Sequence, residues 1–368
     1  MTSPTLAKPA VVVARDPEAP AAVRPPRRGL LRGGWSRSLG LAVALAVLVL
    51  AVGCSLALGA RPVPFGRVWD ALVAARPTDP DAARDWSVVR SLRGPRTILG
   101  LLVGAALGMT GTLIQGLTRN PLADPGILGV QAGASLAVVV GINTVSIEGA
   151  MGYVWFGFAG AAVAGAVVYA LGSLGRGGAS PVKLALAGAA MSALLLALTQ
   201  AVLLSNQATL NEYRFWAVGS LAGRESDVVR AVAPFIVVGI LFGLSRGRSL
   251  NGLALGDDLA RGLGLSLVWA RISTALAIIV LCGAAVAGAG PIVFVGLVIP
   301  HVARSICGPD YRWILAWSLV LAPTLLLGAD TLGRLIARPG EVQVGIMTAV
   351  IGTPGFIAII RRKDLAGL

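Results

Sequence analysis

Charge is what this chain has least of. Only 13% of its 368 residues are Asp, Glu, Lys or Arg, 56% are hydrophobic, and mean hydropathy is +0.80. A soluble domain needs more charge than that to solvate its surface, so the water-soluble globular classes are excluded. Lysine is scarcer still. Lys8, Lys183 and Lys363 are the whole set, and none stands in a Gly-x-x-x-x-Gly-Lys-Ser/Thr loop. The chain therefore has no P-loop to cradle a nucleotide and is not its own ATPase of that kind. A single histidine, His301, and apolar runs nearly free of mid-run carboxylates make poor provision for the proton or sodium relay of an ion-driven carrier. His301 follows Pro300 and reads as a hydrogen-bonded packing residue at a helix kink rather than a metal or proton site. Three cysteines, Cys54, Cys282 and Cys307, lie far apart within or at the ends of apolar segments. That spacing fits neither a disulfide framework nor a Cys-x-x-Cys metal site, and they read as small buried hydrophobes.

What the chain does have is apolar runs of membrane-spanning length. They fall near 39–60, 98–117, 127–145, 150–174, 182–205, 228–245, 267–289, 291–307, 313–333 and 344–360, so the fold class is all-α, a polytopic membrane protein of about ten helices. Residues 1–38 are rich in Pro, Ala and Arg with no period, and read as a disordered basic arm before a transmembrane domain at 39–362 and a short tail at 363–368. The first run is too long for the apolar core of a signal peptide, and nine more follow.

The net charge of +14 follows topology rather than nucleic-acid binding, because the basic residues come in small groups between apolar runs and form no basic face. Placing the arm in the cytoplasm puts nineteen of the 31 Lys and Arg residues inside, so both termini are expected there. The spans themselves carry small residues at four-residue spacing, as in Gly100, Gly104 and Gly108, or Gly283 and Ala287, which lets helix backbones approach closely in lipid. Pro121, Pro125, Pro291, Pro300, Pro323 and Pro354 interrupt or flank spans, and broken helices at membrane depth belong to transporters more than to receptors or anchors.

Four blocks then carry a resemblance. RGPRTILGLLVGAALGMTGTLIQGLTRNPLADPGILGVQAGASLA (93–137), LNGLALGDDLARGLGL (250–265), GAGPIVFVGLVIPHVARSICGPDYRW (288–313) and ADTLGRLIARPGEVQVGIMTAVIGTPGFI (329–357) resemble, in order, the iron-siderophore (FecCD-type) permease family, which includes the vitamin B12 importer permease. The similarity extends over about 40–362. It implies the type II ABC importer permease fold in a bacterial cytoplasmic membrane. It also implies a second permease subunit, identical or related, two cytoplasmic ATPase subunits that hold ATP and Mg, and an extracytoplasmic substrate-binding protein. The chain itself is expected to bind no cofactor and to break no bond in the cargo. A ferric siderophore is the expected cargo, with vitamin B12 or heme as alternatives.

The cytoplasmic loop at about 246–266 reads as the coupling element. A short helix over 253–264 sets Leu253, Leu255, Leu259 and Leu263 on an apolar edge, with Asp257, Asp258 and Arg261 elsewhere and Gly252 and Gly264 at its ends; Gly256 lies between. Two carboxylates facing an anionic leaflet would be poorly placed, which favours a protein partner over lipid headgroups. On the outer side the resemblance places Arg93, Arg96 and Arg334 where the family docks acidic side chains of the binding protein, with headgroup snorkelling as the alternative. Asn120, Pro121 and Asp124 belong to the connection after the second span and read as caps and turns with a gating role. Thr110, Thr112 and Gln115 either line the translocation path at a dimer interface or bond a neighbouring helix. The chain departs from the family pattern at Glu341-Val342-Gln343-Val344-Gly345, which lacks a proline usual before the last span, and at Tyr311, where His is frequent. An ion-gradient carrier and a non-transporting receptor are the readings from other classes.

Overall fold

A computed structural model describes residues 29–31, 33–147, 149–174 and 181–361. The expected arm at 1–28 and residue 32, and the tail at 363–368, lie outside the described residues.

The described residues hold fifteen α-helices and no strand. In order they are α1 Gly34–Ala57, α2 Phe65–Val73, α3 Pro80–Ser87, α4 Gly94–Thr118, α5 Val130–Val145, α6 Gly149–Ser173, α7 Pro181–Ser205 and α8 Gln207–Ala217. Then come α9 Ser226–Leu244, α10 Gly247–Ala254, α11 Asp257–Gly262, α12 Leu267–Ala289, α13 Val295–Cys307, α14 Tyr311–Ile336 and α15 Val344–Arg361. Seven stretches are long and apolar enough to cross a membrane: α1, α6, α7, α9, α12, α14 and the continuous 80–118 segment that contains α4; α5, α13 and α15 are shorter apolar helices. Each of the ten expected runs is matched by one of these.

Two boundaries and the place of three prolines differ from expectation. Helix α1 begins at Gly34, so residues 34–38 belong to the bundle and not to the arm. Its N-terminal approach is also docked: the Leu30 and Leu31 N–H groups donate to the Ser305 and Ile306 carbonyls at 3.1 and 2.9 Å, satisfying acceptors that the end of α13 leaves free. The run expected at 291–307 is helical only over Val295–Cys307, because Gly290 (φ 75°) and Phe294 (φ 70°) turn the chain before it. At 1.5 Å per residue those 13 residues reach only about 20 Å. Pro300, Pro323 and Pro354 stand inside continuous helices rather than at breaks.

Helix α4 is the centre of the bundle, packed by α9, α12, α13 and α14. The glycine stripe makes this possible. A Cβ on Gly104 would lie 2.6 Å from Pro323 Cα, one on Gly108 2.4 Å from the Ala322 Cβ, and one on Gly111 1.9 Å from the Gly296 carbonyl oxygen. Contact between backbones replaces the hydrophobic force that lipid cannot supply. Helix α1 sits at the periphery, mostly exposed in this subunit, and covers one side of α14.

The bundle has two polar ends. The near face carries the Gly34 end of α1, the last turns of α4, α9 and α13, the first turns of α12 and α14, and the pair α10–α11. The far face carries the Ala57 end of α1, α2, α3, the first turn of α4 and the last turn of α14.

Candidate functional site

On the near face, the stretch expected to be one short helix is two. Gly256, at φ 102°, ends α10 and starts α11, a conformation open to glycine and strained for other residues. Helix α10 is anchored by Leu250 and Leu253, both fully buried, with Leu250 against the open Cα of Gly116. Asn251, which no motif in the sequence singles out, ties it to α14: its amide donates to Asp310 Oδ1 at 2.7 Å and its carbonyl accepts from the Tyr311 N–H at 2.9 Å. The apolar edge is consequently divided. Leu253 is buried, whereas Leu255, Leu259 and Leu263 are 55%, 63% and 70% exposed.

The two adjacent carboxylates diverge. Asp258 is fully exposed and, among the described residues, pairs with Arg261, three residues on, at 3.0 Å. Asp257 turns inward and is held by Arg119, at the end of α4, and by Arg271 of α12 at 2.7 Å. Burial opposes ionisation of Asp257, but the hydrogen bonds and charges of Arg119 and Arg271 outweigh it and hold the carboxyl below its ordinary 3.8. Gly264, at φ 79°, closes the element.

On the far face all three expected docking arginines bond within the subunit, and Arg96 alone of them keeps some exposure. Arg93 donates to the carbonyls of Leu56 and Ala57 at 2.7 and 2.8 Å and to that of Arg61. Arg334 donates to the carbonyls of Ser55 and Leu58, both at 3.0 Å, and pairs with Asp330. The last carbonyls of a helix have no partner within it, and here two buried guanidinium groups supply the donors for α1. Arg93 and Arg334, 7% and 5% exposed, thus brace the end of α1 in this conformation. Arg96 grips the fully buried Asp330 with two nitrogens, at 2.7 and 3.0 Å, and reaches Glu341 at 2.7 Å. The i, i+4 spacing of Asp330 and Arg334 was a readable sign of this network; the partnership with Arg96 was not.

These groups wall a cavity of about 490 Å³ on the far face. Arg61, Arg93, Arg96, Arg224 and Arg334 line it against Glu225 and Glu341, so its cationic groups outnumber its anionic ones.

The expected path residues are buried instead. Thr110 donates to the Ala106 carbonyl, Thr112 contacts Ser318 Oγ at 2.9 Å, and Gln115 donates to the Leu297 carbonyl at 3.3 Å. They bond α4 to itself, α14 and α13, the neighbour-bonding use of the two the sequence left open. Asn120 and Asp124 cap as expected, accepting from the Leu122 and Gly126 N–H groups at 2.9 and 2.7 Å, with Pro121 half-buried between them. His301 is buried, but neither ring nitrogen has a hydrogen-bond partner among the described residues, so the expected bond is absent. No group of three or more potential metal ligands occurs among the described residues.

Comparison with known proteins bears on both faces. The FecCD transport family matches residues 47–362. The ferric enterobactin transport system permease protein FepD of Escherichia coli is 42% identical, covering 90% of this chain and 98% of that one. The Fe(3+)-citrate import system permease protein YfmD of Bacillus subtilis is 40% identical over 90% and 97%. The hemin transport system permease protein HmuU of Yersinia pestis is 35% identical over 86% and 93%. Among solved structures, a metal-chelate type ABC transporter in an inward-facing conformation has a chain that superposes with a TM-score of 0.76 at 26% identity, covering 88% of this chain and 99% of that one.

Proposed function

The chain belongs to the FecCD transport family, and we propose that it is the permease subunit of an ATP-driven importer that carries a ferric siderophore across the cytoplasmic membrane, with its near face in the cytoplasm. The observation that carries this reading is the pairing of two unlike faces. One presents an exposed leucine edge beside free charges; the other presents a cationic cavity. A membrane bundle with no P-loop needs a motor from outside, and the exposed Leu255, Leu259 and Leu263 with Asp258, Arg261 and the Gly256 and Gly264 joints suit a seat in such a motor. ATP and Mg belong to that partner. The far cavity suits acidic side chains of a substrate-binding protein, since partly exposed charge pairs supply rate and register without binding so tightly as to prevent release. Arg96 and Arg61 are the accessible members; Arg93 and Arg334 hold the wall. A second permease copy completes the pathway, and the cavity between the two copies changes its exposure by alternating access.

Relatives named for ferric enterobactin and ferric citrate support the siderophore, and the hemin relative keeps heme as the second reading. The test is uptake of radiolabelled ferric siderophore and of heme into proteoliposomes holding this chain with its ATPase and binding-protein partners. Siderophore uptake that stops when the ATPase P-loop lysine is replaced supports the proposal. Uptake that persists under an ion gradient with the dead ATPase would make the protein a secondary carrier.

A further inference from the structure

The two carboxylates of α11 differ so completely in their surroundings that they cannot share a role. Asp258 pairs with Arg261 of its own helix and is fully exposed. Asp257 faces the bundle and closes on two cations from different helices. Arg119 marks the point where α4 stops, in a left-handed conformation at φ 51°. Arg271 lies in the second turn of α12, only 9% exposed, and Asp257 is its one ion-pair partner among the described residues. These two helices are the most enclosed of the bundle, 83% and 78% buried along their apolar windows, and they pack on each other.

The joint in front of Asp257 matters as much as its partners. At Gly256, at φ 102°, a Cβ would meet nothing within 4 Å, so no side chain packs on the joint between α10 and α11. Helix α10, by contrast, is pinned by Leu250, Leu253 and Asn251. Within α11, Ala260 is buried and its carbonyl accepts from the Leu265 N–H at 3.0 Å. The exposed Leu259 and Leu263 lie beyond the Gly256 joint, and the first side chain after it is Asp257.

We infer that Asp257 is the positioning residue that ties helix α11 to the ends of α4 and α12 and carries its motion into the bundle core, while Asp258 and the exposed leucines make the contact with the ATPase partner. This rests on the reading of α10–α11 as the coupling element. The outer side of that element makes contact, and its inner side transmits the motion. A charge-assisted bond to each of two helices moves both together, whereas a single bond would leave one of them behind. Because Arg271 is shielded and Arg119 only a third exposed, the tie survives salt that would screen a surface pair.

The experiment uses the assembled complex in proteoliposomes and reads three quantities: recovery of the ATPase on the purified permease, ATP hydrolysis, and cargo transported per ATP. D257N is expected to keep ATPase recovery and hydrolysis but to lower transport per ATP about tenfold, within the usual range of coupling energies. D257E, which keeps the charge, restores at least half of it. D258N has the opposite signature, weaker recovery of the ATPase with transport per ATP unchanged. R119Q breaks one tie and leaves Arg271 neutralised, so it accumulates even where D257N does not, and lowers transport per ATP about threefold. D257N or R119Q acting on ATPase recovery alone, or leaving all three quantities unchanged, overturns the inference. If ATPase recovery survives L259D and D258N together, the coupling reading itself fails, and it fails separately from the tie.

Discussion

At the scale of single residues, the most informative side chains are the arginines that point inward. Arg93 and Arg334 spend their donors on main-chain carbonyls at the end of α1, where a lysine, with three donors on a point charge, could not span the same acceptors. Replacing Arg93 by Ala strips two buried carbonyls of their donor and is expected to destabilise the far end of α1 by about 3 kcal/mol. A fall in thermal stability of the detergent-solubilised protein checks it, and a docking defect with unchanged stability would refute the clamp. Glu341 behaves differently. It is exposed, it occupies the one expected docking arginine that retains some access, and it sits where the sequence departs from the family's proline-bearing pattern. E341Q is expected to free Arg96 and to tighten capture of the binding protein by a few-fold, read as a lower Kd in a titration against the reconstituted permease. The near face makes a pH prediction. Asp257 has a depressed pKa in the folded chain, so its contribution is complete above its ordinary 3.8 and is lost only as pH falls below that value. Transport per ATP should therefore show no titration of this group between about pH 5 and 8.

At the scale of elements, α4 decides how closely the bundle can pack. Its Gly104 and Gly111 meet backbone rather than flexible side-chain ends, so a methyl added there cannot be accommodated by a rotamer change. G111A should destabilise the protein by about 1–3 kcal/mol through the clash with the Gly296 carbonyl. G328A on α14, where a Cβ meets nothing within 4 Å, should leave it unchanged or gain up to about 1 kcal/mol from helix propensity. Comparing the two melting temperatures separates a packing glycine from a tolerated one. The same helix shows how far the sequence was legible. The four-residue spacing announced a close helix contact, and it is there. Whether Thr112 lined a path or bonded a neighbour was open, because both uses place a small polar group on an apolar helix; only the position of Ser318, 206 residues away, chose between them.

At the scale of the whole molecule, the two faces give the subunit a direction. The near face gathers the joints, free charges and exposed leucines; the far face gathers buried cations around a cavity. The orientation of those faces can be read with single cysteines and a membrane-impermeant maleimide. Gly223, exposed on the far face with open space around its Cα, should be labelled as G223C in intact cells, and L263C only in inverted vesicles. The reverse pattern would turn the topology over and exchange the two partner sites. Peripheral α1 is expected to face lipid, since its long apolar surface has little of this subunit against it.

The number and order of the apolar helices, the membrane class and the family were all determined by the sequence alone. Each is a property of runs and spacings, and lipid enforces those locally: a helix must satisfy its own backbone within about twenty apolar residues or it cannot cross. Tertiary structure decided everything that depends on which distant residues meet. Asp257 and Asp258 are neighbours in sequence with the same chemistry, yet one is bound by Arg119 from 138 positions away and the other stands in water. Arg96 finds Asp330 across 234 positions, and Arg93 and Arg334 are drawn inward by helix-end carbonyls that no side-chain pattern records. Partnering across the bundle is set by the geometry of packed backbones, and for that reason the face a charge occupies could be read in advance while the role it plays there could not.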